Sequence, residues 1–410
     1  MSIIVQKFGG TSVADTEKIK NVAHRVSETR ERGEDVVVVI SALGDTTDRL
    51  VKLAYEIAPR PPEREMDVLL STGEQISVAL LSMAIQELGL EAISFTGSQV
   101  GLVTDGAHTR AKIIDVKVGR ILEELEKGKI VIVAGFQGVT LDDHITTLGR
   151  GGSDTTAVAL AAALKAEVCE IYTDVEGVFT ADPSLVPEAV KLPRLSYEEM
   201  LEIAATGAKV LQLRSVEFAR NYGVVIHVRS SFSADEGTWI AGADEKMERA
   251  IISGVTHDAA EAKVTVANVP DRPGVAARLF QVLAEENINV DMIIQNVGEG
   301  ESTAISFTVS EEDMDKAADV SRRIADDLGA GDVSVDPDIA KVSLVGAGMR
   351  THPGVAADMF GALAENDINI EMISTSTIKV SCVISAEDVK KAVSAIHKKF
   401  GLDKGVVMRA

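Results

Sequence analysis

The sequence predicts an α/β protein: a mainly parallel sheet sandwiched by helices, followed by two small α+β modules. Three observations predict it. Short apolar, β-branched runs alternate with longer helix-compatible segments through the first half, glycine clusters fall just after those runs, and one stretch of the second half occurs twice. A chain of 410 residues exceeds what one core usually holds, so two or three domains are expected.

Residues 3–5 (IIV), 36–40 (VVVVI), 92–95 (AISF), 130–134 (IVIVA), 168–172 (VCEIY) and 224–228 (VVIHV) read as buried strands. The segments 16–32, 74–88, 115–127, 154–165 and 209–221 read as the helices between them. Ligands of such sheets bind in loops beyond the carboxyl ends of the strands. The glycines lie there: Gly9 and Gly10 after the first strand, Gly135 and Gly138 after the fourth, Gly149 to Gly152 before a helix. Near residue 233 the composition turns polar, acidic and small (SADEGTWIAGADEKMER), which reads as a boundary. Beyond it PGVAARLFQVLAEENINVDMI (273–293) returns as PGVAADMFGALAENDINIEMI (353–373). Each copy follows a strand (262–269, 340–347), precedes another (303–310, 377–385) and is closed by a helix (311–328, 386–400). That is β-α-β-β-α twice, and it divides the chain into 1–245, 250–332 and 333–410. Two copies are too few for a solenoid.

With a formal charge of −22 and a pI near 4.8, the chain lacks the basic stripe that a nucleic-acid binder needs. Cys169 and Cys382 stand far apart, so buried, inert thiols are expected rather than a disulfide framework or a zinc site. The N-terminus MSIIVQKFGG has no basic leader region, and no apolar run approaches the roughly 20 residues needed to span a bilayer. A cytoplasmic protein with no membrane contact is expected.

No GxxxxGK[ST], GxGxxG or HExxH string occurs, and no His- or Cys-rich cluster suggests a resident metal. What remains is KFGGTSV (7–13), directly after the first strand, and GRGGSDTT (149–156) at a helix entrance. Each Gly-Gly read singly is a turn, with Ser153 or Asp154 as N-cap. Two such loops at strand ends of one sheet, each beside a cation, instead suit a polyanion. Bare N–H groups, a helix N-terminus and an ammonium cradle phosphate oxygens without a P-loop sequence.

In chain order, KFGGTS, VISALGDTTD, LLSTGEQIS, SFTGSQ, GFQGVT, TTLGRGGSDTTA, EIYTDVEGVFTADP and GAKVL resemble the aspartate kinases of the amino-acid-kinase superfamily. The second half, with GAGMRTHPGVAA and ISTS, resembles their tandem ferredoxin-like ACT modules, and nothing after Ala410 suggests more than the monofunctional form. The resemblance implies transfer of a phosphoryl group from ATP, with Mg2+, to the β-carboxylate of L-aspartate, the first step toward lysine, threonine and methionine. A carboxylate with pKa near ~4 is already ionised at neutral pH, so no general base is needed; positioning and charge stabilisation are nearly the whole task.

By the resemblance, Lys7 contacts the transferring group and Asp154 orients Lys7. Arg150, with Gly151, Gly152 and Ser153, clamps an aspartate carboxylate, helped by Ser41 and Thr47, while Glu74 pairs with the α-ammonium. The nucleotide falls to Lys7, Phe8, Gly9, Gly10, Thr173, Asp174, Phe179, Thr180, Ala181, Asp182, Pro183 and Lys209. The ACT modules imply feedback by lysine and/or threonine. Its contacts would be Asp271, Gly274, Ala276, Asn289, Val290, Asp291 and Gln295 in the first copy, and Ala356, Ala357, Asn369, Ile370 and Ser376 in the second. Thr377 stands where related sequences usually carry Glu, a departure inside one effector pocket. A homo-oligomer is implied, or an α2β2 assembly with a regulatory subunit initiated internally near Met247.

Overall fold

A computed structural model describes residues 2–208, 210–243, 250–296, 302–405 and 407–408. Its chain begins β1 (Ile3–Phe8), α1 (Thr16–Glu31), β2 (Asp35–Ile40), α2 (Thr46–Ile57), α3 (Glu63–Glu87) and β3 (Ala92–Phe95). It continues through β4 (Leu102–Thr104), β5 (Ile113–Val116), α4 (Gly119–Glu126), β6 (Ile130–Ala134), β7 (Gln137–Val139), β8 (Ile145–Thr147) and α5 (Gly152–Leu164). Then follow β9 (Val168–Thr173), β10 (Arg194–Ser196), α6 (Tyr197–Ala205), α7 (Leu213–Tyr222), β11 (Ile226–Ser230) and β12 (Thr238–Ala241).

Among the described residues these strands form an eight-stranded sheet in the order β10-β12-β11-β9-β1-β2-β6-β3, parallel except between β11 and β12. Apolar strands demand cover on both faces. On one face Val36, Val38 and Ile40 of β2 meet Val22 and Val26 of α1 and Val78 and Leu81 of α3. The other face receives α5, whose Ala-rich, non-amphipathic sequence suits a helix buried on nearly all sides. Helix α3 is long and apolar enough to cross a bilayer by length and composition, contrary to expectation. It serves here as a core helix, with Asp67 and Glu74 both buried along it.

Several elements differ from the sequence expectation. The helix expected from 74 begins at Glu63, and the one expected over 115–127 is strand β5 up to Val116 followed by the shorter α4. The small sheet β5-β4-β7-β8 and helix α2 were not foreseen. Its three- and four-residue strands are too short for alternation to register, and no residue of α2 is buried.

The second unit contains β13 (Ala250–Ile252), β14 (Gly254–Asp258), β15 (Glu261–Pro270), α8 (Val275–Glu285), β16 (Ile293–Asn296), β17 (Ser302–Ser310), α9 (Met314–Leu328) and β18 (Val333–Asp336). It continues with β19 (Ile339–Val345), α10 (Val355–Ala364), β20 (Met372–Thr375), β21 (Lys379–Ser385) and α11 (Val389–Lys399), and closes with β22 (Val407–Met408), which pairs with β13. The β-α-β-β-α pattern is found in both copies, each as a four-stranded antiparallel sheet: β16-β17-β15-β18 and β14-β19-β21-β20. Strand β14 precedes the first copy in sequence yet pairs with β19 of the second.

Division by sequence also differs from division in space. Phe179–Val190 and Ala205–Ala208 group with the second unit, although both lie inside the expected 1–245 segment. Their side chains give the reason. Ala181 and Val186 are part of the apolar core that also holds Leu344, Met359 and Val393, and the Thr180 carbonyl accepts the Val255 N–H at 2.8 Å.

Candidate active site

The carboxyl ends of the central strands carry backbone hydrogen bonds onward into their loops. Gly9 N–H donates to Tyr172 O, Ser41 N–H to Phe8 O, Gly135 N–H to Ile40 O and Ser231 N–H to Thr173 O. The loops after β1, β2, β6, β9 and β11 are therefore fixed side by side. Gly10 is tightly enclosed, since a Cβ there would lie 3.0 Å from Ala42 O and 3.1 Å from Gly44 O. At Gly9 a Cβ would stand 3.5 Å from Lys7 Nζ and 4.0 Å from Ser12 Oγ, so its absence leaves main chain open between an ammonium and a hydroxyl. Bare main chain beside an ammonium suits an anion.

Lys7 Nζ lies 2.6 Å from Asp154 Oδ1, and both side chains are about one-tenth exposed, at 11% and 10%. Asp154 occupies the first turn of α5, where a carboxylate is favoured by the helix dipole. The helix entrance is set by Gly151 in the left-handed conformation (φ 71°), where a Cβ would fall 1.9 Å from Gln212 Cγ. Ser153 is buried against Gly135, while Arg150 is exposed and makes no ion pair among the described residues. Its guanidinium remains available for a carboxylate.

Glu74, from α3, is only 3% exposed. Oε1 accepts the Ala42 N–H at 3.3 Å, and Oε2 has no partner among the described residues. Burial pushes its carboxyl up to about 7, against the lowering effect of the backbone hydrogen bonds. A buried carboxylate with one unfilled oxygen calls for an incoming cation. Half-buried Ser41 and Thr47 stand at the end of β2 and in the first turn of α2, on the same side of the sheet's edge.

The nucleotide candidates divide. Thr173 ends β9 and Asp174 follows it at the same edge, their side chains joined by a 3.1 Å hydrogen bond. Phe8 has only main chain to offer a ligand, because its ring is buried and stacked on Tyr172 at 4.6 Å, away from Lys7. Phe179, Thr180, Ala181, Asp182 and Pro183 belong to the second unit. The Thr180 side chain is buried there with Oγ1 2.9 Å from His397 Nε2, Ala181 is core, and Asp182 accepts the Ser184 N–H. The side chains of Thr180 and Ala181 are thus committed to packing, which the D-P turn in the sequence did not reveal. Lys209 and Met247 lie outside the described residues.

In the second module a cavity of about 560 Å3 is lined by Met349, His352, Pro353, Gly354, Val355, Ala356, Thr375, Ser376, Thr377 and Val380. It brings Ala356 and Ser376 together with the divergent Thr377, but not Ala357, Asn369 or Ile370. In the first module Gly274 is the left-handed N-cap of α8 (φ 95°), and Asp271, Asn289 and Gln295 are exposed. Ala276 and Val290 pack against the apolar core of that module. Asp291 is engaged by Lys341 at 2.5 Å, and Lys263 pairs in the reverse sense with Glu371. Lysines and carboxylates from equivalent positions of the two repeats are exchanged between the modules.

Sequence reading missed a largely buried polar cluster behind the Lys7–Gly10 loop: Gln6, Glu170, Tyr172 and Arg229. The available signal was a charged residue inside each of two apolar strands, VCEIY and IHVRS.

The amino acid kinase family profile matches residues 2–230, and an ACT domain profile matches residues 264–321 and 342–400. An aspartokinase of Mycolicibacterium smegmatis is 56% identical over 415 residues, with 99% of each chain covered. Escherichia coli aspartokinase III, solved in complex with aspartate and ADP, superposes with a TM-score of 0.83 at 27% identity, covering 97% of this chain and 100% of that one. The same enzyme in complex with lysine and aspartate gives 0.76 at 27% identity, covering 97% and 99%. The chain belongs to the amino acid kinase family and, within it, to the aspartokinases, phosphotransferases that carry paired ACT domains.

Proposed function

We propose that this chain transfers the γ-phosphoryl group of ATP to the β-carboxylate of L-aspartate, giving 4-phospho-L-aspartate and ADP. The observation that carries the reading is the Lys7–Asp154 pair, held at 2.6 Å between two glycine loops at the sheet's edge. Two anions must meet, and the residues present supply the counter-charge. Lys7 Nζ and the Gly9 main chain receive phosphate oxygens, Arg150 holds a carboxylate in a bidentate fork, and the unfilled oxygen of Glu74 takes the α-ammonium. Aspartate in related structures makes this acceptor the natural one.

Among the described residues no group of three or more His, Cys, Asp or Glu side chains converges to hold a metal. Mg2+ would then ride on nucleotide oxygens, with Asp154 the nearby carboxylate. Bound so, it neutralises charge developing between the phosphates. Lysine and/or threonine would act at the ACT modules, where the cavity beside Ala356 and Ser376 is lined by the hydroxyl-bearing Thr375, Ser376 and Thr377 and by the N-terminal residues of α10. An assembly of more than one copy accompanies this reading.

The test is aspartate-dependent ADP release, with the acyl phosphate trapped by hydroxylamine, repeated with glutamate and N-acetylglutamate and titrated with lysine and threonine separately and together. Turnover with aspartate alone, depressed by one or both amino acids, is expected. Equal turnover with N-acetylglutamate would contradict the assignment.

A further inference from the structure

The cluster behind the phosphate loop has no part in the chemistry above, yet it costs the fold a buried charge. In the register of β1 with β9, Gln6 faces Glu170 and Phe8 faces Tyr172. Alternation puts these four side chains on the face opposite Lys7. Glu170 is 7% exposed. Its Oε2 accepts from Gln6 Nε2 at 2.7 Å and from the Tyr172 hydroxyl at 3.0 Å, and its Oε1 from Arg229 Nη1 at 3.1 Å. The same Arg229 nitrogen reaches the Tyr172 oxygen at 3.2 Å, and the Arg25 guanidinium lies 4.9 Å above the ring centroid.

A buried ion pair with its hydrogen bonds is weak evidence for added stability, since apolar side chains of similar volume hold a sheet as well or better. What such a network does is fix one geometry. Here the fixed object is Tyr172. Its ring lies parallel to Phe8 (interplanar angle 7°), its carbonyl accepts the Gly9 N–H at 3.3 Å, and the next residues are Thr173 and Asp174. Tyr172 is the junction between the Lys7–Gly10 loop, to which the proposed function gives phosphate, and the Thr173–Asp174 loop, to which the family resemblance gives the nucleotide.

We infer that Tyr172, clamped by Glu170 and Arg229, is a positioning residue for the nucleotide: it sets the spacing between the Lys7–Gly10 loop and the Thr173–Asp174 loop. The inference rests on the nucleotide lying at those loops. It requires that losing the clamp weaken nucleotide binding selectively and leave the aspartate side, built from α3 and the entrance of α5, unaffected.

The experiment uses the full chain and titrates ADP into wild type, Tyr172→Phe, Glu170→Gln and Tyr197→Phe, alongside KM for ATP and for aspartate. Tyr197 is a control for the loss of a buried tyrosine hydroxyl, because its hydroxyl donates to Val224 O at 2.7 Å away from both loops. Tyr172→Phe keeps the ring stack and loses two charge-assisted hydrogen bonds, the one donated to Glu170 and the one accepted from Arg229. It should weaken ADP and raise KM for ATP by about five- to tenfold, with kcat and KM for aspartate within about twofold. Glu170→Gln should move the same two constants in the same direction, and Tyr197→Phe should move neither. Unchanged ADP affinity in Tyr172→Phe overturns the inference alone. So does an equal loss in Tyr197→Phe, or a parallel rise in both KM values, since general loosening would then suffice. Failure of wild type to bind ADP overturns the nucleotide reading and this inference with it.

Discussion

Glu74 shows how one residue links burial to function. Its carboxyl is pushed up to about 7 by burial, so near neutral pH an appreciable fraction is protonated before substrate arrives. A protonated carboxyl has no charge to offer an ammonium. Aspartate binding should therefore weaken as pH falls from 8 to 6, with kcat/KM for aspartate at saturating ATP dropping by up to tenfold per pH unit below the apparent pKa. Glu74→Gln should lower kcat/KM throughout and flatten this limb; a limb that persists unchanged in the variant would assign the ionisation elsewhere. The residue type and position of Glu74 were legible in LLSTGEQIS, but its burial and unfilled oxygen were not. Those depend on α3 beginning eleven residues earlier than the sequence suggests and packing under the loop after β2.

Among the elements, the entrance to α5 carries the sharpest constraint. Gly151 sits at φ 71°, and a Cβ there would collide with Gln212. Gly89, by contrast, has φ 82° with nothing within 4 Å of its virtual Cβ. Both Ala variants incur the left-handed penalty of roughly 1 kcal/mol, but only Gly151→Ala displaces the turn that carries Arg150 and Asp154. Thermal unfolding should show a small loss for Gly89→Ala, about 2–4 °C, and a larger one for Gly151→Ala. Aspartate KM should rise in Gly151→Ala alone. Equal effects of the two variants on both quantities would remove the steric argument. The strands of the parallel sheet could be read from the chain because continuous β-branched runs have few other uses. The hairpins of β4, β5, β7 and β8 could not, since strands of three or four residues leave no periodicity to detect.

At the scale of the whole molecule, the catalytic and regulatory parts interleave in sequence. The segment Phe179–Val190 is covalently continuous with the β9 loop yet completes the core of the second ACT module, where Thr180 meets His397. The repeat announced both modules, but nothing local in TADPSLVPEAV shows that its apolar residues face a partner more than 150 positions away. Ending the chain at residue 245 would thus strip the cover from Ala181 and Val186. The fragment should aggregate, or melt well below the full chain, in size-exclusion and thermal measurements. A monodisperse fragment as stable as the full chain would show that this segment does not need the second module.

All of this depends on Lys7 supplying positive charge where phosphate transfers. Replacing Lys7 with Ala and measuring aspartate-dependent ADP release beside direct ADP binding tests that claim most directly. Turnover should fall by about 10^3-fold or more while ADP binding stays measurable, within roughly tenfold of wild type. Turnover retained within tenfold would contradict the role assigned to the Lys7–Asp154 pair.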